Sequence, residues 1–154
     1  MNYEELLIEA DNNGISVDEN FPFMSEMKGL YVDGNIALSA SLETSAEKTC
    51  VLAEELGHHY SATGDILDQS STSNRKQELR GRIIAYNRLV GLNGIINAYK
   101  NHCQSIEETA EFLEVTVKFL NEAISYYKGK YGTYATIDNY AIIFEPSIAV
   151  LELI

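Results

Sequence analysis

Residues 53–60, Ala-Glu-Glu-Leu-Gly-His-His-Tyr, are the stretch that decides the fold. Glu54 and His58 are four residues apart, so on a helix they lie on the same face, one turn from each other. Their spacing matches the signature H-E-x-x-H, in which two histidines bind zinc and the glutamate between them activates water. Glu54 stands where the first histidine would be, and carboxylates are also zinc ligands. Glu55 occupies the position of the general base.

The residues around this stretch predict a helix. Thr44 followed by Glu47 is a capping-box pattern, so the helix is expected to open there and to run to about Tyr60. Gly57 lies within it, and a glycine in a helix costs about 1 kcal/mol relative to alanine. Its presence indicates that another backbone or a substrate passes close. The apolar stripe of the predicted helix is Cys50, Val51, Ala53, Leu56 and Gly57.

A β-hairpin is predicted before this helix. Gly29–Val32 and Ile36–Ser39 flank Asp33-Gly34-Asn35, and Asp-Gly between apolar residues favours a tight turn because glycine accepts positive φ. The hairpin is either a plain sheet edge or an edge that accepts an extended peptide by strand addition, and both can hold. Residues 15–23 are mixed in character and include Pro22, so no regular element is predicted there.

A catalytic zinc site needs three protein ligands and one open position. The acidic candidates downstream of the motif are Asp65, Asp68 and Glu78. Both aspartates lie in residues 61–74, which are polar and predict a surface loop. Glu78 lies near the start of a predicted helix, residues 75–90, that could return antiparallel to the first. Two carboxylates and one imidazole leave zinc formally neutral and a weaker Lewis acid, so we expect slow or conditional hydrolysis.

Residues 105–128 predict a helical hairpin, opened by the capping-box pattern of Ser105 and Glu108. Helix-turn-helix modules that bind DNA have this shape. Residues 106–124, however, hold a single lysine among the glutamates 107, 108, 111, 114 and 122. Because phosphate contacts supply most of the affinity for DNA, we expect a structural or partner-binding pair of helices instead. Tyr140–Phe144 and Ile148–Leu151 predict C-terminal strands.

Composition limits the possible functions. The 23 acidic and 11 basic residues give a formal net charge of −12, which argues against general nucleic-acid binding and suits a basic protein partner. Cys50 and Cys103 have no metal or redox spacing, so a cytoplasmic compartment with free thiols is expected. No signal peptide is recognised at the N-terminus, and no apolar run approaches the roughly 20 residues of a membrane span.

The run Lys48–His59 resembles the zinc helix "cxxLAHELGH" of the ImmA/IrrE family of metallopeptidases. The family's second motif, "ExxAxxFA", is similar to Glu78–Ala85, where Gly81 replaces the alanine and Ile84 the aromatic residue. The hairpin resembles the strand segment that precedes the family's zinc helix. The similarity covers about residues 28–89, and the C-terminal third fits more loosely, as in phage and mobile-element variants.

The resemblance implies that His58 and Glu78 bind zinc, that Glu55 is the catalytic base, and that Glu54 replaces the first ligand histidine. The implied activity is a zinc-dependent endopeptidase, with an EExxH motif, acting on a helix-turn-helix repressor of a phage or mobile element. The alternative is a catalytically inactive antirepressor or toxin–antitoxin partner that binds the repressor without hydrolysis. A DNA-binding regulator acting through residues 106–124 is a third hypothesis.

The fold class expected from all this is α+β. We predict a zincin-like part with a short antiparallel sheet packed on the metal-site helix, followed by a helical hairpin and a strand region. Residues 1–154 are expected to form one compact domain, with the zincin-like part at about 1–92 and the remainder at about 93–154.

Overall fold

A computed structural model describes the backbone of residues 1–61 and 71–154 and the side chains of residues 1–61 and 75–154. Helices and small sheets are mixed along the chain, so the predicted α+β class is confirmed. The helices are α1 (Tyr3–Asn12), α2 (Ser45–Ser61), α3 (Ser71–Leu89), α4 (Gly91–Lys100), α5 (Ile106–Leu113) and α6 (Val117–Tyr131). The strands are β1 (Ser16–Phe21), β2 (Gly29–Val32), β3 (Asn35–Ser39), β4 (Tyr134–Ile137), β5 (Tyr140–Ile143) and β6 (Ala149–Glu152).

The first sheet has the order β1-β3-β2. The predicted hairpin is confirmed as β2 and β3, which pair antiparallel through a turn in which Asp33 and Gly34 both have positive φ. Among residues 1–61 and 71–154, β2 pairs with β3 on one side only, so it is an edge strand of the described sheet.

The prediction of an antiparallel first sheet was wrong, because β1 pairs parallel with β3 on its far side. Sequence reasoning missed β1 because five of its six residues are exposed and only Val17 is of intermediate burial. An edge strand that exposes nearly all of its side chains carries no apolar alternation to recognise.

Helix α2 packs on this sheet and forms the centre of the core. Its Thr44 hydroxyl accepts a hydrogen bond from the Glu47 amide at 3.1 Å, as the capping pattern predicted. Leu52 and Leu56 are fully buried, as are Ile36 and Leu38 on the sheet. Burial of each such side chain contributes about 1.5–3 kcal/mol relative to exposure, which fixes α2 against the hairpin.

The predicted loop over residues 61–74 is too long, because helix α3 already begins at Ser71. Ser71-Thr72-Ser73-Asn74 is composed of weak helix formers, which explains the error. The candidate ligands Asp65 and Asp68 lie outside the described residues.

The helical hairpin of the C-terminal part is confirmed as α5 and α6. The Ser105 hydroxyl accepts from the Glu108 amide, the Thr116 hydroxyl accepts from the Phe119 amide, and Glu114 turns the chain with φ 60°. The second sheet, ordered β4-β5-β6, includes both predicted C-terminal strands and adds β4. One hydrophobic cluster contains Leu56 of α2 together with Leu120 of α6 and Ile142 of β5.

Candidate functional site

A cleft of about 720 Å³ lies between the edge strand β2 and helices α2 and α3. All four site residues predicted from the sequence line it: Glu54, Glu55, His58 and Glu78. The first three come from one face of α2, and the fourth comes from α3. The fold therefore brings to one cavity residues that are 20 positions or more apart in the chain, although the site roles of these residues remain predictions.

His58 and Glu78 have the separation of two ligands that share an ion. The distance from His58 Nε2 to Glu78 Oε2 is 3.6 Å. Two donor atoms that each lie 2.0–2.1 Å from a tetrahedral zinc are about 3.3 Å apart. The His58 side chain is 15% exposed and that of Glu78 is 60% exposed, so the pair has a buried imidazole and a solvent-facing carboxylate.

Two glycines allow this pairing by bringing the helices into direct contact. A Cβ on Gly57 would lie 2.4 Å from the carbonyl oxygen of Gly81, so the backbones of α2 and α3 touch there. A Cβ on Gly81 would lie 2.5 Å from Nδ1 of His58. The expectation that a backbone passes close to Gly57 is thus confirmed. Gly81 leaves room for the ring of His58, whose Nε2 atom is then near Glu78.

Glu54 lies at the boundary between the cleft and a charged surface of α3 and α6. Burial raises its pKa to about 7, opposed by the charge of Arg82 and reinforced by those of Glu122 and Glu78. In the described part of the chain, no three side chains among His, Cys, Asp and Glu are close enough together to hold a metal ion. The Glu54 carboxylate therefore lies beside the His58–Glu78 pair but not close enough to form a three-residue metal cluster with it.

The donor chemistry of the cleft fits zinc. Imidazole and carboxylate are both ordinary zinc ligands, and one pair of them already has a suitable separation. A third ligand would come from Glu54, which is one helical turn from His58 on the same face of α2.

Glu55 is buried directly beneath β2. Burial raises its pKa to about 8, and the charges of Glu54 and Glu78 add to the shift. A Cβ on Gly29 would lie 3.3 Å from Glu55 Oε1, so glycine gives the strand room to pass this close to the carboxylate. A buried carboxylate with a raised pKa in a cleft is suited to accept and return a proton.

Tyr31 is a cleft residue that sequence reasoning did not identify. Its hydroxyl is 2.7 Å from Nδ1 of His59. The contact ties β2 to α2, so His59 helps to hold the strand. Alternation along the hairpin was the available signal, because Tyr31 lies on the same face of β2 as Gly29.

Comparison with known protein families gives a match. Residues 14–125 match the IrrE N-terminal-like domain, a family of peptidases. The chain belongs to this family. Its members are generally zinc-dependent metallopeptidases, so a metallopeptidase-like function is the one indicated. The chain has no significant match among curated proteins, nor among solved structures. No helix in the described parts of this family member is both long and apolar enough to cross a membrane.

Proposed function

We propose that the chain is a zinc endopeptidase with an EExxH motif, in which Glu54, His58 and Glu78 hold the metal and Glu55 is the general base. The observation that carries the proposal is the position of Glu55 and the His58–Glu78 pair in one cleft, opposite the open edge of β2. We interpret the first sheet, α2 and α3 as a zincin-like arrangement within a single domain.

The chain's own residues supply binding and proton transfer. An extended substrate pairs with the free edge of β2 and lies across the cleft, with its scissile carbonyl near Glu55. The Glu55 carboxylate takes a proton from the attacking water and returns it to the leaving amine. Zinc, when bound, supplies Lewis-acid activation of that water. With two carboxylate ligands the activation is weaker than with two histidines, so we expect slow turnover.

The substrate we propose is a helix-turn-helix repressor of a phage or mobile element. Such a DNA-binding protein is basic, and the net charge of −12 favours association with it. A repressor acts on DNA in the cytoplasm, and we place this protein in the same compartment.

A second function, antirepression without hydrolysis, is favoured by the identity and the position of Glu54. That residue replaces a histidine, and its carboxylate is not gathered with His58 and Glu78. An inactive copy would hold the repressor in the same cleft and leave it intact.

Incubation with a repressor protein distinguishes hydrolysis from binding without hydrolysis. A helix-turn-helix repressor is incubated with wild-type protein, with Glu55→Gln and with wild type plus a zinc chelator; mass spectrometry follows its intact mass, and size-exclusion chromatography follows complex formation. Glu55→Gln preserves the shape of the side chain and removes the base. If the protein is a peptidase, the repressor is cleaved by wild type alone and stays intact with Glu55→Gln and with the chelator. Complex formation by wild type and Glu55→Gln without any cleavage would overturn the peptidase and support antirepression.

A further inference from the structure

The edge strand β2 presents two different faces to an incoming strand. Gly29 packs on α2, since a Cβ there would lie 2.6 Å from Val51 Cγ1, and Tyr31 bonds His59 of the same helix. The alternate residues, Leu30 and Val32, face away from α2 and are 41% and 51% exposed. Both nevertheless border the cleft.

A strand added to β2 inherits this alternation. Side chains opposite each other on neighbouring strands lie on one face of the sheet, with Cβ atoms about 4.5–5.5 Å apart. Every second side chain of the added strand would therefore lie beside Leu30 and Val32 on the outer face. An apolar side chain there removes exposed apolar surface from water, which a polar one does not.

The other side chains of the added strand would point into the cleft. Its lining in the described residues includes the acidic Asp33, Glu54, Glu55 and Glu78, with Lys28 as its basic member. In the metal-free protein, four acidic side chains therefore face one lysine in this lining. Basic side chains are therefore favoured on the cleft side.

We infer that the occupant of β2 is an extended segment of a protein partner in which apolar side chains alternate with basic ones. This inference rests on the proposed function, because it defines the segment that the peptidase or antirepressor receives. The apolar side chains of the partner segment pack beside Leu30 and Val32, and its basic side chains face the carboxylates of the cleft.

Two labelled peptides of equal composition test the alternation. One has valine and lysine alternating over eight residues, and the other has four valines followed by four lysines. Fluorescence anisotropy measures their binding to wild-type protein kept free of metal by a chelator, which preserves all four carboxylates and excludes zinc-dependent hydrolysis. We expect the alternating peptide to bind about tenfold more tightly. Equal affinities would overturn the inference.

The double substitution Leu30→Thr and Val32→Thr tests the surface itself. Threonine has the β-branched shape that strands favour, and it removes apolar area at both positions. We expect the preference for the alternating peptide to fall to less than about threefold. The matched control is Leu151→Thr on β6, which is 50% exposed on the other sheet and should leave the preference unchanged.

These outcomes are separable from those of the proposed peptidase. A preference that survives the double substitution overturns the inference while zinc binding and cleavage stand. A preference that is lost in the double variant supports the inference, even in a protein that holds no zinc and cuts no repressor.

Discussion

At the scale of single residues, the proposed zinc site involves Glu54 and Gly81, which stand where the resembled motifs have histidine and alanine. Both were readable from the sequence, but only the first had an evident chemical meaning there. The meaning of Gly81 depends on how closely α3 approaches His58, and no local pattern encodes a distance between two helices. The structure shows how close the two helices are, because a Cβ at Gly81 would contact the His58 ring.

Gly81→Ala should displace the His58 ring and weaken zinc binding by about tenfold or more, because ligand orientation controls metal affinity. The obstructing atoms belong to a side chain, so the fold should survive. Zinc affinity is measured by competition with a chromophoric chelator, and circular dichroism monitors the fold. The control is Gly129→Ala in α6, where a Cβ meets nothing within 4 Å. Unchanged zinc affinity in Gly81→Ala would contradict the proposed role of His58.

Glu54→His should strengthen zinc binding by about tenfold, because imidazole suits zinc better than carboxylate does. It should also raise the rate of repressor cleavage by about tenfold, because a neutral ligand leaves more positive charge on the metal. The same chelator competition gives the affinity, and the mass of the repressor over time gives the rate. A variant that binds zinc more tightly yet cleaves no faster would refute the explanation from ligand charge.

At the scale of elements, helices were predictable and two edge strands, β1 and β4, were not. Helix α2 and the α5–α6 pair have apolar stripes and capping residues, which are local signals. Strand β1 is held by its pairing with β3, and pairing is a property of two distant segments. The approach of α3 to α2 is likewise non-local, although Gly57 gave a correct indication of it.

Gly57→Ala should lower the free energy of unfolding by about 2–3 kcal/mol, because a Cβ would overlap the backbone of Gly81 and force α2 and α3 apart. Urea denaturation followed by circular dichroism measures the change. Gly129→Ala again serves as the control and should be neutral or slightly stabilising. A Gly57→Ala protein as stable as wild type would mean that the helices do not touch as described.

Helix α1 is tied to α3 by a charged pair that should make stability depend on pH. Glu9 accepts from Arg88 Nη1 at 2.8 Å and from the Tyr60 hydroxyl at 2.6 Å. Burial alone would raise the pKa of Glu9, but its hydrogen bonds to Arg88 and Tyr60 lower it below 4.5. Because the folded-state pKa of Glu9 is lowered, the stabilisation from its charge is complete above the ordinary pKa of 4.5. It is lost as the pH falls through the folded-state pKa.

Glu9→Gln should therefore cost about 1–2 kcal/mol at pH 7, and the difference from wild type should shrink as the pH falls below 4.5. Urea denaturation at stepwise lower pH measures both. Glu107→Gln, at an exposed position in the first turn of α5, controls for loss of a carboxylate. A difference from wild type that grows in acid would contradict the assigned direction of the pKa shift.

At the scale of the whole molecule, charge and topology act together. The net charge of −12 was available from composition, and it supports a basic partner. The open edge of β2 was foreseen from the hairpin. That Leu30 and Val32 lie outward while the acidic cleft lies inward required knowing which face of the hairpin α2 covers. The family relationship was predictable from the motifs. The position of Glu54 beside the His58–Glu78 pair was not, because it depends on how α2 and α3 pack.

The central claim is that Glu54, His58 and Glu78 together hold zinc, and elemental analysis of purified protein tests it most directly. Wild type is compared with Glu54→Ala, His58→Ala and Glu78→Ala, with Glu107→Ala as a control for removal of an exposed carboxylate. We predict about one zinc per chain in wild type and in the control, and its loss in all three site variants. Wild-type protein that holds no zinc even when zinc is supplied would contradict the claim.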